Sequence, residues 1–351
     1  MIYIRTDANE IIATGHVMRC LTIAEEIVNL DESVCFVVSD KESLPLIREG
    51  GFEYIITNSR WNNVNVEAEY EMLRAYISDN DILLADSYYI KNDYLKRFKS
   101  ICKVATFDDM FDEEKEADIV INYNLFYKRF DYTNRYKSRE CKLLLGGRYV
   151  PLRKQFRTVQ PKEEIRDYVH PQILLMCGGG DARNFICTCL EFIDRKNNKL
   201  FKGIEWKVVV GNYYPHLEEL KLFSDEKNNV EILQNVKNMA EIMNKSDICI
   251  TAASTVLYEC CAMLLPTLFA VVADDQRYDA EFFSKNDMMI YCGNFIEAPA
   301  STLKNVQDTL QDVILSPTEK EKMKNKMYDL VDGKGAMRIA KALIEVERRK
   351  K

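Results

Sequence analysis

The amino-acid sequence predicts an α/β protein with two Rossmann-like, doubly wound domains that face a central cleft. Three observations support this fold class. Short apolar runs alternate with longer amphipathic runs, which is typical of parallel β-α-β units. The 351 residues exceed one core of ordinary size and suit two domains. The alternation breaks once, at a polar stretch bracketed by two prolines, and then restarts.

The strand-like runs divide into two sets. The first set covers 2–5, 34–39, 54–57, 82–86, 103–107, 119–122 and 143–145. The second set covers 173–177, 206–210, 230–233, 247–251, 267–272 and 288–291. The polar linker at 158–171 therefore separates a domain at 1–157 from a domain at 168–351. Ligands of such sheets bind at the carboxyl ends of the strands, which here predicts a cleft between the domains.

Composition and charge exclude several classes of partner. With 47% hydrophobic and 29% charged residues, the chain is a soluble globular protein. Its net charge of −7 disfavours nucleic acid, whose phosphates require clustered Lys and Arg. No apolar run approaches the roughly 18 residues of a membrane helix, and MIYIRTD at the start lacks a signal-peptide pattern. We expect a cytoplasmic protein without a membrane partner, as a monomer or weak dimer.

The eleven cysteines predict reduced, buried thiols rather than disulfides or a zinc site. None has C-x-x-C spacing, and Cys35, Cys177 and Cys249 lie inside apolar strand-like runs. A D-x-D string at Asp79 to Asp81 precedes a strand, so it falls at the edge opposite the expected ligand site and indicates a solvated turn. We therefore expect neither a metal nor a cofactor.

The first candidate site is the loop after the first strand, from Arg5 to Cys20. Gly15 gives the backbone freedom just before a helix, and His16 falls in the first turn of that helix. A helix N-terminus disfavours added positive charge, so His16 should stay neutral and able to accept a proton from water as a general base. The alternative is an ordinary capping histidine. Polar residues at the carboxyl ends of later strands include Asp86, Tyr88 and Asn124.

The second domain has candidate phosphate-binding turns. Gly178, Gly179 and Gly180 separate a strand from a helix and leave backbone N–H groups open to phosphate oxygens, although a purely structural tight turn is the alternative. Ser254 and Thr255 suit both helix capping and phosphate contacts. Three further polar residues are candidates for ligand contacts, and for each the alternative is an ordinary structural role. They are Asn184 at the first of these turns, Glu259, which could bind ribose hydroxyls, and Gln276 at a helix start.

These residues together resemble a known family, the UDP-2,4-diacetamido-2,4,6-trideoxy-β-L-altropyranose hydrolases, and the related spore-coat polysaccharide proteins. The opening pattern R-x-D…G-x-G-H-x-x-R-C is matched by Arg5, Asp7, Gly15, His16, Arg19 and Cys20. Asp86 with Tyr88, and Asp108 with Asp109, match two further elements. In the second half the matches are Gly178, Gly179, Asp181, Asn184, Ser254, Thr255, Glu259 and Gln276. Ala13, Ala252, Ala253 and Asp275 depart from the family pattern.

The resemblance implies a GT-B architecture whose final helix crosses back onto the first domain. It also implies inverting hydrolysis of a UDP-sugar at the anomeric C–O bond, with His16 as the base, in pseudaminic-type acid or surface polysaccharide biosynthesis. Residues implied for the sugar are Arg5, Asp7, Gly15, Arg19, Tyr88, Asn124 and Gln276. Residues implied for UDP are Gly178, Gly179, Gly180, Asn184, Ser254, Thr255 and Glu259. A GT-B glycosyltransferase, in which an acceptor hydroxyl replaces water, is the alternative.

Overall fold

The computed structural model describes residues 1–9, 11–12, 14–137, 140–162, 170–178, 181–211 and 214–348. The chain divides into two compact units. The first comprises residues 1–153 and 333–351, and the second comprises 154–332. The sequence-based domains, 1–157 and 168–351, differ from these units at the linker and at the C-terminus, where the last helix belongs to the first unit.

The first unit is built on a parallel sheet with the strand order β3-β2-β1-β4-β5-β6-β7. Every residue of β1, β2 and β4 is buried, as expected for strands covered on both faces. The strands are β1 Ile2–Thr6, β2 Val34–Val38, β3 Glu53–Ile56, β4 Ile82–Asp86, β5 Lys103–Phe107, β6 Ile119–Asn122 and β7 Lys142–Leu145. The first helices are α1 Gly15–Val28, α2 Leu44–Glu49, α3 Val66–Leu73, α4 Asn92–Lys99 and α5 Tyr132–Arg135, with 3-10 turns at Leu125–Arg129 and Gly147–Tyr149.

The second unit repeats the plan with the order β10-β9-β8-β11-β12-β13, again parallel. Its strands are β8 Gln172–Met176, β9 Glu205–Val210, β10 Val230–Gln234, β11 Ile248–Ala252, β12 Thr267–Val271 and β13 Ile290–Asn294. Its helices are α6 Gln155–Thr158, α7 Phe185–Lys196, α8 Asn198–Lys202, α9 Leu217–Asp225, α10 Met239–Lys245, α11 Val256–Ala262, α12 Arg277–Lys285, α13 Pro299–Ile314 and α14 Pro317–Met327, with a 3-10 turn at Asp274–Gln276.

The predicted strands are confirmed in both sheets, and most of their ends agree within one residue. The exception is β13, predicted at 288–291 and observed at Ile290–Asn294. There the apolar run starts before the strand, because Met288 and Met289 are buried without being part of the ladder. Apolar character marked the buried segment, whereas the hydrogen bonds with β12 define the strand.

The last helix, α15 Gly335–Arg348, packs in the first unit against α1. Its buried side chains Ile339, Ala340 and Leu343 are separated by one, three or four positions and form one apolar face. Arg338 adds a hydrogen bond from Nη1 to the Arg148 carbonyl at 2.8 Å. The helix starts against the backbone of the turn Gly147–Tyr149, so its first residue has little room.

A substitution at Gly335 tests how closely the start of α15 approaches the backbone near Val150. A Cβ at this position would lie 2.0 Å from the Val150 carbonyl oxygen, and a backbone atom cannot move aside as a flexible side chain can. We expect Gly335→Ala to destabilise the first unit by about 1–3 kcal/mol, the cost of overpacking, and to lower its melting temperature in a thermal scan by several degrees. The matched control is Gly15→Ala, because a Cβ there meets no atom within 4 Å. Equal melting temperatures for the two variants would contradict the packing of α15.

Candidate active site

The sheet of the first unit reverses its strand order between β1 and β4. Strands β2 and β3 lie on one side of β1 in the sheet, whereas β4 lies on its other side and is followed outward by β5, β6 and β7. At such a switch point the loops diverge and leave a crevice at the carboxyl ends of the strands. The last residues of these strands, Thr6 and Asp86, are paired neighbours, so the loop before α1 and the end of β4 meet there.

His16 and Asp86 form a buried pair at this point. The His16 Nδ1 atom lies 2.7 Å from Asp86 Oδ1, and the two residues are 8% and 1% exposed. Because an ionised carboxylate only accepts, we assign the imidazole proton to Nδ1. Nε2 is then the ring nitrogen that can accept a proton. The pair therefore has the arrangement of a general base held by an orienting carboxylate.

Arg19 holds the same carboxylate from the next turn of α1. Its Nε donates to Asp86 Oδ2 at 2.6 Å and its Nη2 donates to Oδ1, which makes the contact bidentate. Nη2 also donates to Asp109 Oδ2 at 2.8 Å, and the guanidinium lies over the Phe107 ring at 4.1 Å. Nη1 donates to the Tyr123 hydroxyl at 3.1 Å. The guanidinium is thus fixed by two carboxylates and two aromatic residues.

The spacing of His16, Arg19 and Cys20 now has a physical reason. Residues three and four positions apart share one face of a helix. All three side chains face Asp86, and Cys20 Sγ approaches Asp86 Oδ2 at 3.3 Å. The sequence pattern G-H-x-x-R-C therefore describes three side chains of α1 gathered on one carboxylate of β4.

Protonation in this cluster follows from burial and charge. Burial would raise the pKa of Asp86, but the charges of Arg19 and His16 and their hydrogen bonds hold it well below its ordinary range. Burial and the Asp86 charge raise the pKa of the Cys20 thiol well above its usual value. Burial raises the pKa of the Tyr123 hydroxyl to about 12. Asp86 is therefore ionised, and Cys20 and Tyr123 are neutral, at physiological pH.

Two further predicted residues lie in loops at the same edge of this sheet. Tyr88 is 48% exposed and touches the His16 ring edge-on, with ring centroids 4.6 Å apart. Asn124 follows β6 and is 8% exposed, and its backbone N–H is held by Asn122 Oδ1 at 3.0 Å. Gly15 starts α1 with open space beside its Cα, so the unit itself has no steric need for glycine there.

Arg5 and Asp7 require a correction. We predicted that they contact the substrate, but they are 0% and 3% exposed. Arg5 donates to Glu69 through Nε and Nη2 at 3.1 Å, to Asp7 at 2.5 Å and to Ser39 Oγ at 2.7 Å. A 3.5 Å contact with the Thr6 carbonyl accounts for the remaining N–H. The guanidinium is saturated inside the unit, so Arg5 and Asp7 support the site instead of touching a ligand.

This buried network contains residues that the sequence did not indicate. Glu69 of α3 also accepts from Tyr94 at 3.0 Å and Thr57 at 3.1 Å, and Ser59 donates to it as well. The charge of Arg5, with these hydrogen bonds, outweighs burial and lowers the pKa of Glu69. In the sequence, a buried glutamate on a short helix appears only as a charged residue on an otherwise apolar face. Helices on the surface show the same pattern, so the sequence does not distinguish the two cases.

In the second unit, the turns after β8 and β11 lie side by side at the switch point of the other sheet. Gly178 has φ +72°, which favours glycine, and a Cβ there would be 3.2 Å from Ser254 Oγ. Gly179 and Gly180 lie outside the described residues. Thr255 precedes α11 as its N-cap residue, and Glu259 is half-buried within that helix.

Two predicted residues of this unit have structural partners. Asn184 has φ +56° and donates from Nδ2 to Glu219 Oε2 at 2.8 Å. Gln276 Oε1 accepts from the Val272 N–H at 2.9 Å and the Ala273 N–H at 3.3 Å. These two contacts agree with the capping explanation for Gln276, and a role of its side chain in binding a sugar stays a prediction.

Over the residues that the structure describes, no group of three or more His, Cys, Asp and Glu side chains is arranged to hold a metal ion. Asp81, from the D-x-D string, accepts hydrogen bonds from the Ser78 backbone N–H and hydroxyl, as a turn residue does. Within the same described ranges, no helix has both the length and the apolar character needed to cross a membrane.

The two sheets and their switch points define a GT-B fold, which solved glycosyltransferases share. Residues 172–341 match the family described as the Glycosyltransferase family 28 C-terminal domain. MurG of Acinetobacter baumannii superposes with a TM-score of 0.67 at 12% identity, over 98% of this chain and 99% of that one. The UDP-GlcNAc 2-epimerase of Neisseria meningitidis gives 0.63 at 12% identity, over 98% and 100%.

Curated relatives extend the likeness to particular proteins. The chain is homologous to the UDP-2,4-diacetamido-2,4,6-trideoxy-β-L-altropyranose hydrolase of Campylobacter jejuni, with 25% identity over 76% of this chain and 89% of that protein. It is also homologous to the spore coat polysaccharide biosynthesis protein SpsG of Bacillus subtilis, with 22% identity over 94% and 93%. An uncharacterized protein of Methanocaldococcus jannaschii is 28% identical over 79% of this chain, which spans 56% of that relative.

The supporting role of Arg5 has a direct test. Arg5→Met removes the cation and leaves Glu69 and Asp7 buried without it, so we expect the first unit to lose about 3–5 kcal/mol of unfolding free energy. Urea unfolding followed by circular dichroism measures this loss. The control is Arg74→Met, which breaks an exposed pair with Glu71 and should change the stability by about 0.5 kcal/mol or less. A midpoint for Arg5→Met equal to that of the control would show that the network carries no stability.

Proposed function

We propose that this chain hydrolyses a UDP-linked diacetamido-trideoxy sugar at the anomeric C–O bond with inversion, releasing UDP and the free sugar. The observation that carries the proposal is the buried contact between His16 Nδ1 and Asp86 Oδ1 at 2.7 Å. It supports a water-activating base at the carboxyl edge of the first sheet. The homology to the Campylobacter jejuni hydrolase supports the choice of substrate and reaction.

The base acts through its orientation. With the Nδ1 proton donated to Asp86, the lone pair on Nε2 accepts a proton from a water molecule as that water attacks the anomeric carbon. A single displacement by water inverts the configuration at that carbon. Asp86 stays ionised throughout and stabilises the imidazolium that forms, because its pKa lies well below the physiological range.

The charges around His16 favour this proton transfer. Arg19 faces the two carboxylates of Asp86 and Asp109, which leaves a net charge of −1 before His16 is protonated. Proton uptake by His16 brings the cluster to neutrality, so the cost of placing a cation next to Arg19 is offset. The same negative balance disfavours a diphosphate at this point, which supports assigning the sugar to the first unit.

The leaving group needs little help. The terminal phosphate of a nucleoside diphosphate is weakly basic, with a pKa of roughly 6, so it departs without a proton donor. We assign UDP to the second unit, where backbone N–H groups near Gly178 and Ser254 would stabilise the departing charge. Thr255 and Glu259 would contact the phosphate and the ribose, respectively. We place the reaction in the cytoplasm, in nonulosonic acid or surface polysaccharide biosynthesis, with the chain as a monomer or weak dimer.

A second candidate function is glycosyl transfer from a UDP-sugar donor. It is favoured by the match of residues 172–341 to the Glycosyltransferase family 28 C-terminal domain and by the fold shared with MurG. The same His16–Asp86 pair would then deprotonate an acceptor hydroxyl in place of water. The two functions differ only in the nucleophile, so the products distinguish them.

The identity of the nucleophile is tested by incubating the protein with UDP-2,4-diacetamido-2,4,6-trideoxy-β-L-altropyranose, with excess EDTA and no acceptor. We expect UDP and free sugar in equal amounts, observed by NMR with the inverted anomer forming first, because His16 activates water without a metal. UDP release that appears only on adding an acceptor alcohol would establish the transferase instead. Loss of turnover in EDTA would contradict a mechanism that relies on His16 alone.

The base assignment predicts the effect of two variants. His16→Asn should lower kcat by about 10²–10⁴-fold because no side chain takes the proton, and Asp86→Asn should fall in the same range because the imidazole loses its orienting acceptor. Steady-state kinetics measure both, with circular dichroism to verify folding. His170→Asn is the matched control, since His170 is exposed and should leave kcat unchanged. Near wild-type turnover in folded His16→Asn would remove His16 from the mechanism.

A further inference from the structure

Asp109 carries a carboxylate oxygen without a partner. Its Oδ2 accepts from Arg19 Nη2 at 2.8 Å, whereas its Oδ1 is buried and accepts no hydrogen bond among the described residues. An unpaired buried oxygen of a charged group is costly, and such atoms usually meet a donor. The cost is tolerated here next to the Arg19–Asp86 contact, at the edge of the sheet where His16 lies.

We propose that Asp109 is a specificity-determining residue whose Oδ1 accepts a hydrogen bond from the sugar of the substrate, from a hydroxyl or an acetamido N–H. This inference rests on the proposed function and adds the group that recognises the sugar. The binding energy comes from supplying a donor to an oxygen that lacks one in the free protein. A sugar without a donor at that position would leave the oxygen unpaired and would bind less tightly.

The loop that carries Asp109 is held at Phe111, and the carboxylate itself is held by Arg19. Phe111, two residues further on, has φ +51°, a conformation that a bulky side chain rarely adopts. Three contacts hold it there. The Phe111 N–H donates to Asp108 Oδ1 at 3.0 Å, its carbonyl accepts from Arg135 Nη1 at 2.8 Å, and its ring stacks on Phe130 with centroids 4.7 Å apart.

The charge around Asp109 selects a neutral donor group. Arg19 is the cation in contact with both Asp86 and Asp109, and the balance of the three is negative. A phosphate oxygen would be repelled, whereas a hydroxyl or amide N–H donates without adding charge. Hydrogen bonds from neutral donors to a carboxylate are also stronger than those between two neutral groups.

Access to the oxygen requires a side chain at the rim to move, because Oδ1 is buried in the free protein. Tyr88 lies at this rim. It is 48% exposed, and its edge-to-face contact with the His16 ring is a weak interaction of the kind that a ligand can replace.

The test is calorimetry with Asp109→Asn, which keeps a carbonyl oxygen for Arg19 and turns the other oxygen into an NH₂ group. The His16→Asn variant serves as the background so that the ligand is not consumed. We expect UDP-2,4-diacetamido-2,4,6-trideoxy-β-L-altropyranose to bind about 10–100-fold more weakly when Asp109→Asn is added, the loss of one hydrogen bond to a charged acceptor. The affinity for UDP alone should be unchanged, because UDP has no sugar to donate.

The control is Asp112→Asn, the same substitution in the same loop but at an exposed residue paired with Lys91 and Lys115. It should change neither affinity. Equal UDP-sugar affinity with and without Asp109→Asn would overturn the proposal while leaving the hydrolase intact. Weaker binding of UDP as well, or a lower melting temperature, would show that Asp109 acts through the fold, which also overturns it. A wild-type protein that neither binds nor hydrolyses the UDP-sugar would refute the proposed function itself.

Discussion

The candidate active site depends on the contacts that the Asp86 carboxylate makes with side chains of α1. This carboxylate ends a buried strand and collects an imidazole, a guanidinium and a thiol from successive turns of α1. A buried carboxylate stays ionised only when nearby groups stabilise its charge. Here one of those groups is the His16 imidazole, whose ring orientation is fixed by the same contact. The position of α1 on the sheet, the orientation of His16 and the ionisation of Asp86 therefore have one common cause.

A second buried network, around Arg5, supports the strand and loop that lead to the Asp86 cluster. Arg5 lies on β1, the strand that leads into the loop before His16, and it is tied to α3 through Glu69 and to the end of β2 through Ser39. The start of that loop is thus held on both sides.

The strands and the parallel, doubly wound class of both sheets could be predicted from the sequence, because short apolar runs mark buried strands and their alternation with helices indicates β-α-β units. The position of His16 at a helix start could be predicted as well, since the preceding glycine is a local signal, whereas its role as the base stays a prediction. Arg5 was assigned to the substrate wrongly, because its partners are set by burial and include Glu69, which is 64 residues away. A sequence pattern shows that a polar residue is present but not whether its hydrogen bonds are already used inside the protein.

The helix α15 has a consequence for how the chain is made. Residues 333–351 belong to the unit that carries His16, although the whole of 154–332 is synthesised between them and the first strands. At roughly 5–20 residues per second, translation of that intervening segment takes about ten to forty seconds. During this time the surface of α1 that α15 covers is exposed on the nascent chain. The unit with the base is therefore the first to begin folding and the last to be completed.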